Sequence, residues 1–144
     1  MVVAAEFVMD ASFAIPWIFR DEVSPLSDEA WHRLIAKTAT AHVPALWAME
    51  MVNVTLRGPH GEKPKPSAKD TEEFFRILRK LPLRVHHQGF DVFMDRALPL
   101  VRKHGLTIYD SAYLHLALAT GLPLATLDKR MRKAAKAEAV EIVA

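Results

Sequence analysis

Apolar residues along the chain fall either in short continuous runs or at intervals of three to four positions. The first run, Phe7-Val8-Met9, lies between Glu6 and Asp10 and predicts a buried strand. Residues 12–19 take helical spacing with Ser12 placed to cap them, although Pro16 removes one rung of any helix there. Trp31, Leu34 and Ile35 predict a helix over 24–37 with Ser27 or Asp28 near its start. Ala41-His42-Val43 predicts a second strand, and Pro44 suits the first turn of a helix reaching Leu56. The polar, Pro-punctuated stretch 58–66 predicts a loop. Ser67 caps an amphipathic helix to Lys80, followed by a strand over 83–86 and a helix over 89–103. Thr107 and Asp110 have the spacing of a capping box for a helix that ends at Thr120, before Gly121. Residues 123–127 predict a strand, Asp128 opens a basic helix through Lys136, and 140–143 can supply a last strand.

Strands alternating with helices predict an α/β fold, a three-layer α/β/α sandwich with a mainly parallel central sheet, because parallel neighbours need long crossovers. A length of 144 residues suits a single domain over 1–144, and no repeat or linker divides it. With 51% apolar and 25% charged residues, disorder is excluded as the dominant state. The absence of Cys excludes a disulfide framework, a thiolate zinc site and a cysteine nucleophile, and accords with a cytoplasmic location. The opening stretch to Phe19 lacks a basic start and is broken by Glu6 and Asp10, so a core strand and helix are expected rather than a leader. No window approaches the ~18 apolar residues of a membrane span, so no membrane association is expected. Lys and Arg number 19 against 17 acids, a net charge of +2, so attraction for nucleic acid must come from local patches.

In open parallel sheets the functional crevice lies beyond the carboxyl ends of the strands. Asp10 and Asp128 stand at such ends, Asp110 lies in the first turn of a helix, and Glu50 lies inside an otherwise apolar helix. If these four acids meet at one rim, they must be protonated or neutralised by a cation, and oxygen donors favour Mg²⁺ or Mn²⁺. Each has a plainer reading: Asp10, Asp110 and Asp128 as helix caps, and Glu50 with Asn53 and Arg57 as a solvent stripe. Lys129, Arg130, Arg132, Lys133 and Lys136 would place phosphate-binding charge beside the acids, or line a solvated helix face. His86 and His87 point to opposite faces of a strand and cannot chelate one ion together, which makes them structural or surface residues. The segment 58–63 has the wrong spacing for a phosphate loop, and nucleophile-elbow, zinc-protease and dinucleotide motifs are absent. The Asp10-Ala11-Ser12 segment also lacks the second acid of a phosphatase or receiver domain.

Four segments, Val8-Met9-Asp10-Ala11-Ser12, Pro44 through Glu50 to Asn53, Tyr109-Asp110-Ser111-Ala112-Tyr113 with Ala117, and Ala125-Thr126-Leu127-Asp128, occur in a telling order and spacing. Together they resemble the PIN-domain ribonucleases, and most closely the VapC-type toxins of toxin-antitoxin pairs, over nearly the whole chain. The resemblance implies a PIN-like fold and a Mg²⁺- or Mn²⁺-dependent endoribonuclease acting on structured RNA. It implies that Asp10, Glu50, Asp110 and Asp128 form the catalytic metal site, supported by Ser12, Asn53 and Thr126. Asp10 and Asp110 are expected to bind the ion directly, and Glu50 and Asp128 through water. Lys129, Arg130, Arg132 and Lys133 are the expected RNA contacts. A cognate antitoxin and a second copy, as a homodimer, are the implied partners. Phe13, Trp17, Ile18 and Phe19 are candidates for antitoxin contact, although ordinary core is the stronger expectation for them. The 58–66 connection departs from the family in being longer and richer in Pro. The competing functions are a PIN-like RNA-processing nuclease that is not a toxin and a catalytically silent PIN-like binding module.

Overall fold

Four strands form one parallel sheet: β1 (Glu6–Met9), β2 (Thr40–Pro44), β3 (Leu83–His86) and β4 (Leu124–Ala125). The structure is a computed structural model that describes residues 3–58 and 64–144. Among the described residues the strand order is β3-β2-β1-β4, with Val8 opposite both His42 and Leu124 and Pro44 opposite His86. Phe7, Val8 and Met9 are all buried, as a continuous apolar run in a central parallel strand requires.

Helices fill every connection. α1 (Ala11–Ile18) and α2 (Pro25–Ile35) precede β2, and α3 (Leu46–Arg57) and α4 (Ala68–Leu78) precede β3. Then α5 (Phe90–Val92), α6 (Leu98–His104) and α7 (Ile108–Thr120) precede β4, and α8 (Lys129–Ala137) follows it. Right-handed crossovers growing from β1 toward β3 put α1–α4 on one face, and the return from β3 to β4 reverses direction and puts α5–α7 on the other. The three layers expected from the pattern result. On the first face Phe7 meets Phe13 edge-on, and Trp17, Trp31 and Phe74 continue the aromatic packing outward. On the second, α7 packs over β1 and β2 with Tyr113 and Leu114 fully buried.

Local departures from the pattern have physical causes. Asp10, not Ser12, caps α1: the Phe13 N–H donates to Asp10 Oδ1 at 3.1 Å. Ser24 caps α2 with Pro25 in its first turn, and Ser27 instead turns inward, donating its hydroxyl to the Phe13 carbonyl at 2.6 Å. Pro44 closes β2 rather than opening α3, and the Ala45 N–H carries the next bond, to the His86 carbonyl at 3.0 Å. The helix expected over 89–103 contains a π-helical turn, Phe93–Ala97, between α5 and α6. Pro99 accounts for it, because in an unbroken α-helix its ring would press on the Asp95 carbonyl, and a widened turn relieves the clash.

The strand expected over 123–127 shortens to β4, and 140–143 contributes a single parallel bridge, Ile142 with Leu124. Of the 58–66 loop and the phosphate-loop-like segment within it, residues 59–63 lie outside the described residues. Phe13 and Trp17 join the hydrophobic core and half-buried Ile18 packs against it, while Trp17, Ile18 and buried Phe19 also line a cavity with Trp31 and Phe74. No helix among the described residues is long and apolar enough to cross a membrane. His86 joins a polar chain across three strands: its Nε2 lies 2.8 Å from His42 Nδ1, and His42 Nε2 lies 2.9 Å from Glu6 Oε1.

Candidate active site

The direction of strand growth reverses between β1 and β4, and an open α/β sheet has its crevice at such a switch point, beyond the carboxyl ends. Asp10 directly follows β1, and Thr126 and Asp128 follow β4, so the two chain segments meet there. Asp10 is only 4% exposed. Its Oδ1 accepts the Ser12 hydroxyl at 2.6 Å and the Phe13 N–H, and its Oδ2 accepts the Thr126 hydroxyl. Both hydroxyls also accept backbone donors, Ser12 Oγ from the Leu127 N–H at 3.0 Å and Thr126 Oγ1 from the Asp128 N–H at 3.1 Å. Two short side chains thereby knit the end of β1 to the segment that carries Asp128.

The other acids arrive from three helices. Asp128 caps α8 by accepting the Met131 N–H on Oδ1 at 3.0 Å. Asp110 stands in the first turn of α7, where its N–H donates to Thr107 Oγ1 at 3.1 Å, one half of the expected capping box. Glu50, half-buried on α3, accepts the hydroxyl of Tyr113, which lies one turn beyond Asp110 on α7. Asp10 and Asp128 are thus helix caps, while α7 is capped by Thr107 and Asp110 contributes its N–H.

Asp110 is the acid through which the other carboxyls act on one another. Burial pushes the Asp10 carboxyl up to about 7, against the hydrogen bonds from Ser12, Thr126 and the Phe13 N–H, and the charge of Asp110 adds to the rise. Glu50 is raised by burial, held down in part by the Tyr113 hydrogen bond, and raised again by Asp110. Asp110 is raised by burial and by the charge of Asp128, while its hydrogen bond with Thr107 and the charge of Arg130 act against the rise. Asp110 thus feels or is felt by each of the other three acids. The Tyr113 hydroxyl is held protonated by burial first and by the charge of Glu50 next, so it remains a donor.

This donor set fits a hard divalent cation. All donors are oxygens, and burial first, with a neighbouring acid second, raises the proton affinity of Asp10, Glu50 and Asp110, so a cation placed among them would favour their charged forms. Among the described residues no three His, Asp or Glu side chains stand close enough to hold one ion by direct bonds. At most two of these side chains could therefore bind one ion directly in this arrangement, with water completing its shell.

Ser12 and Thr126 sit on Asp10 as expected. Asn53 does not join them: it is exposed beside Met49, Val52 and Leu56, with no hydrogen bond to the acids among the described residues. The basic tract divides. Arg130 acts on Asp110, the Arg132 guanidinium reaches the Thr126 carbonyl at 3.5 Å, and Lys129 and Lys133 turn toward α6. Sequence reasoning missed the role of Tyr113, whose signal was a phenol on a buried helix face that needed a hydrogen-bond partner.

A family model of the PIN domain matches residues 7–137, a span that holds all four acids. The chain belongs to the PIN-domain family. Over 59 residues this PIN domain is 41% identical to Ribonuclease VapC3 of Pyrobaculum aerophilum, covering 41% of this chain and 40% of that protein. The match thus spans about two fifths of the length of the curated relative. In fold the PIN domain is similar to the crystal structure of PAE2754 from Pyrobaculum aerophilum, with a TM-score of 0.66 at 19% identity, covering 90% of this chain and 79% of that one. It is also similar to a chain of a toxin-antitoxin complex from Klebsiella pneumoniae, with a TM-score of 0.56 at 17% identity over 85% of this chain and 86% of that one.

Proposed function

We propose that this PIN domain is a Mg²⁺- or Mn²⁺-dependent endoribonuclease that hydrolyses phosphodiester bonds in structured RNA as the toxin of a toxin-antitoxin pair. The observation that carries the reading is the placement of Asp10 and Asp128 at the sheet's switch point, where Ser12 and Thr126 bond their two segments together, with Asp110 close enough to act on the Asp10 carboxyl. The local identity to a protein named as a ribonuclease supports it. Asp10 and Asp110 would hold the cation directly, and Glu50 and Asp128 through water. When bound, the cation supplies Lewis acidity, acidifying water and offsetting charge that builds on the phosphate oxygens.

The chain's own residues orient this chemistry. Ser12 and Thr126 fix the Asp10 carboxylate from two sides, and Tyr113 fixes Glu50. Lys129, Arg130, Arg132 and Lys133 supply positive charge for RNA phosphates. A cognate antitoxin, a second copy of the chain and a cytoplasmic setting belong to the same reading, and the toxin-antitoxin complex among similar structures supports the first.

The test is incubation of the purified protein with an end-labelled structured RNA, with Mn²⁺ or with EDTA. Internal cuts are expected with Mn²⁺ alone and should vanish in Asp10→Asn and Asp110→Asn. Binding without cutting would make the chain a silent module, and cleavage surviving in both variants would remove the acids from the chemistry.

A further inference from the structure

A cavity of about 520 Å³ opens between the end of α6 and one face of α8, from Lys129 to Ala137. Lys103 and His104 enter it from α6, and Lys129, Arg130 and Lys133 from α8. Ala134 and Ala137 lie between them and, being short, leave the space open. One acid, Glu138, stands by: its carboxylate accepts Lys103 Nζ at 3.0 Å and His104 Nε2 at 2.9 Å. Among the described residues no salt bridge engages Lys129, Arg130 or Lys133. Lys129 and Lys133 thus stand in one concave space without an ion-pair partner, and Arg130 beside them has only the Asp110 carboxyl within electrostatic reach, in a chain whose net charge is only +2. Such concentration needs a cause, since like charges at i and i+4, as for Lys129 and Lys133, weaken a helix.

Arg130 connects this cavity to the acids, because it both lines the cavity and lies near enough to Asp110 to act on its carboxyl. We infer that the cavity between α6 and α8 is a second phosphate subsite, which holds a backbone phosphate of the RNA strand next to the one at the acids. The inference rests on the RNA-cleaving reading and adds to it a residue from another helix, Lys103, and a fixed path for the strand. The acids repel phosphate when no cation is bound, so in metal-free protein the subsite becomes the main anchor for the strand. Arg132, which turns to the Thr126 carbonyl, takes no part in it.

The test uses binding in EDTA, where no cutting intervenes. A fluorescent structured RNA is titrated with the full chain at several KCl concentrations. In Lys103→Gln/Lys133→Gln the slope of log affinity against log salt should become shallower by about one to two, with affinity about tenfold lower at low salt. Lys133→Gln alone should give an intermediate slope, with thermal unfolding unchanged. A control pair distant from the cavity, Lys69→Gln/Lys80→Gln, should leave the slope within error of wild type. The subsite is overturned if the control pair lowers the slope equally, if the cavity pair leaves it unchanged, or if wild type binds no RNA. It is also overturned if inorganic phosphate binds tightly in a Lys103-dependent way while the RNA slope stays constant, since that describes a free-anion site. Wild type that binds RNA with the expected slopes but does not cut it with Mn²⁺ would end the proposed activity and leave the subsite standing.

Discussion

The hydroxyl of Tyr113 on α7 donates to Glu50 Oε1 on α3, a clasp between residues 63 positions apart that joins helices from opposite faces of the sheet. Phe in place of Tyr113 keeps the ring and leaves the half-buried carboxylate without its donor. Tyr113→Phe should lower stability by about 1–3 kcal/mol in urea titrations. It should also reduce Mn²⁺-dependent cleavage by about tenfold, because Glu50 is no longer oriented. Full cleavage by the destabilised variant would restrict Tyr113 to holding the helices together.

Asp10 gives the metal-free protein a characteristic pH response. Its carboxyl titrates at about 7 in the fold against an ordinary value of 3.8, so between these values the folded chain binds the extra proton. Stability from this group is therefore greatest at the acid end and declines as pH rises, by up to about 1.4 kcal/mol per pH unit. Glu50 and Asp110 are raised too and act in the same direction, whereas His86 and His115 are lowered, by burial first, and act oppositely below 6.5. The difference between wild type and Asp10→Asn isolates the effect. In EDTA the variant should gain on wild type steadily from pH 4.5 to 7.5, and a gap that narrows over that range would contradict the assignment.

A cation that binds only the folded state stabilises it by mass action, by about 2.7 kcal/mol at a hundred times its dissociation constant. Mn²⁺ or Mg²⁺ at pH 7.5 should accordingly raise the unfolding temperature of wild type. Asp110→Asn should abolish that rise while leaving the metal-free variant at least as stable as wild type, because one of the mutually repelling charges has gone. A metal-induced shift retained in this variant would place the ion elsewhere.

Asp128 has two roles that substitution can separate. Asn retains an N-cap acceptor and removes the charge, so Asp128→Asn should unfold within about 0.5 kcal/mol of wild type while its cleavage falls at least tenfold. Ala removes both, and Asp128→Ala should lose about 1 kcal/mol more. Equal cleavage by Asp128→Asn and wild type would reduce this residue to a cap.

The acids were legible because each is marked locally. Asp10 ends an apolar run, Asp110 completes a Thr-x-x-Asp spacing, and Glu50 interrupts an apolar helix. The chain from Glu6 through His42 to His86 was not, since it depends on the register of β1, β2 and β3, which no single segment encodes. The division of the basic tract was hidden for a related reason. The burial of Met131, Ala134 and Ala135 sets the rotation of α8, and that rotation sends Lys129, Arg130 and Lys133 one way and Arg132 another. Pro99 was visible, but the sequence alone did not reveal that the helix would absorb it by widening rather than by stopping.

The hydrogen bond from Thr126 to Asp10 spans 116 positions, and β4 pairs with β1 only after everything between them has been laid down. On the ribosome, then, a growing chain exposes Asp10, Glu50 and Asp110 with the β4 side of β1 still unpaired. Until residue 128 clears the exit tunnel, no partial product can own the four acids together.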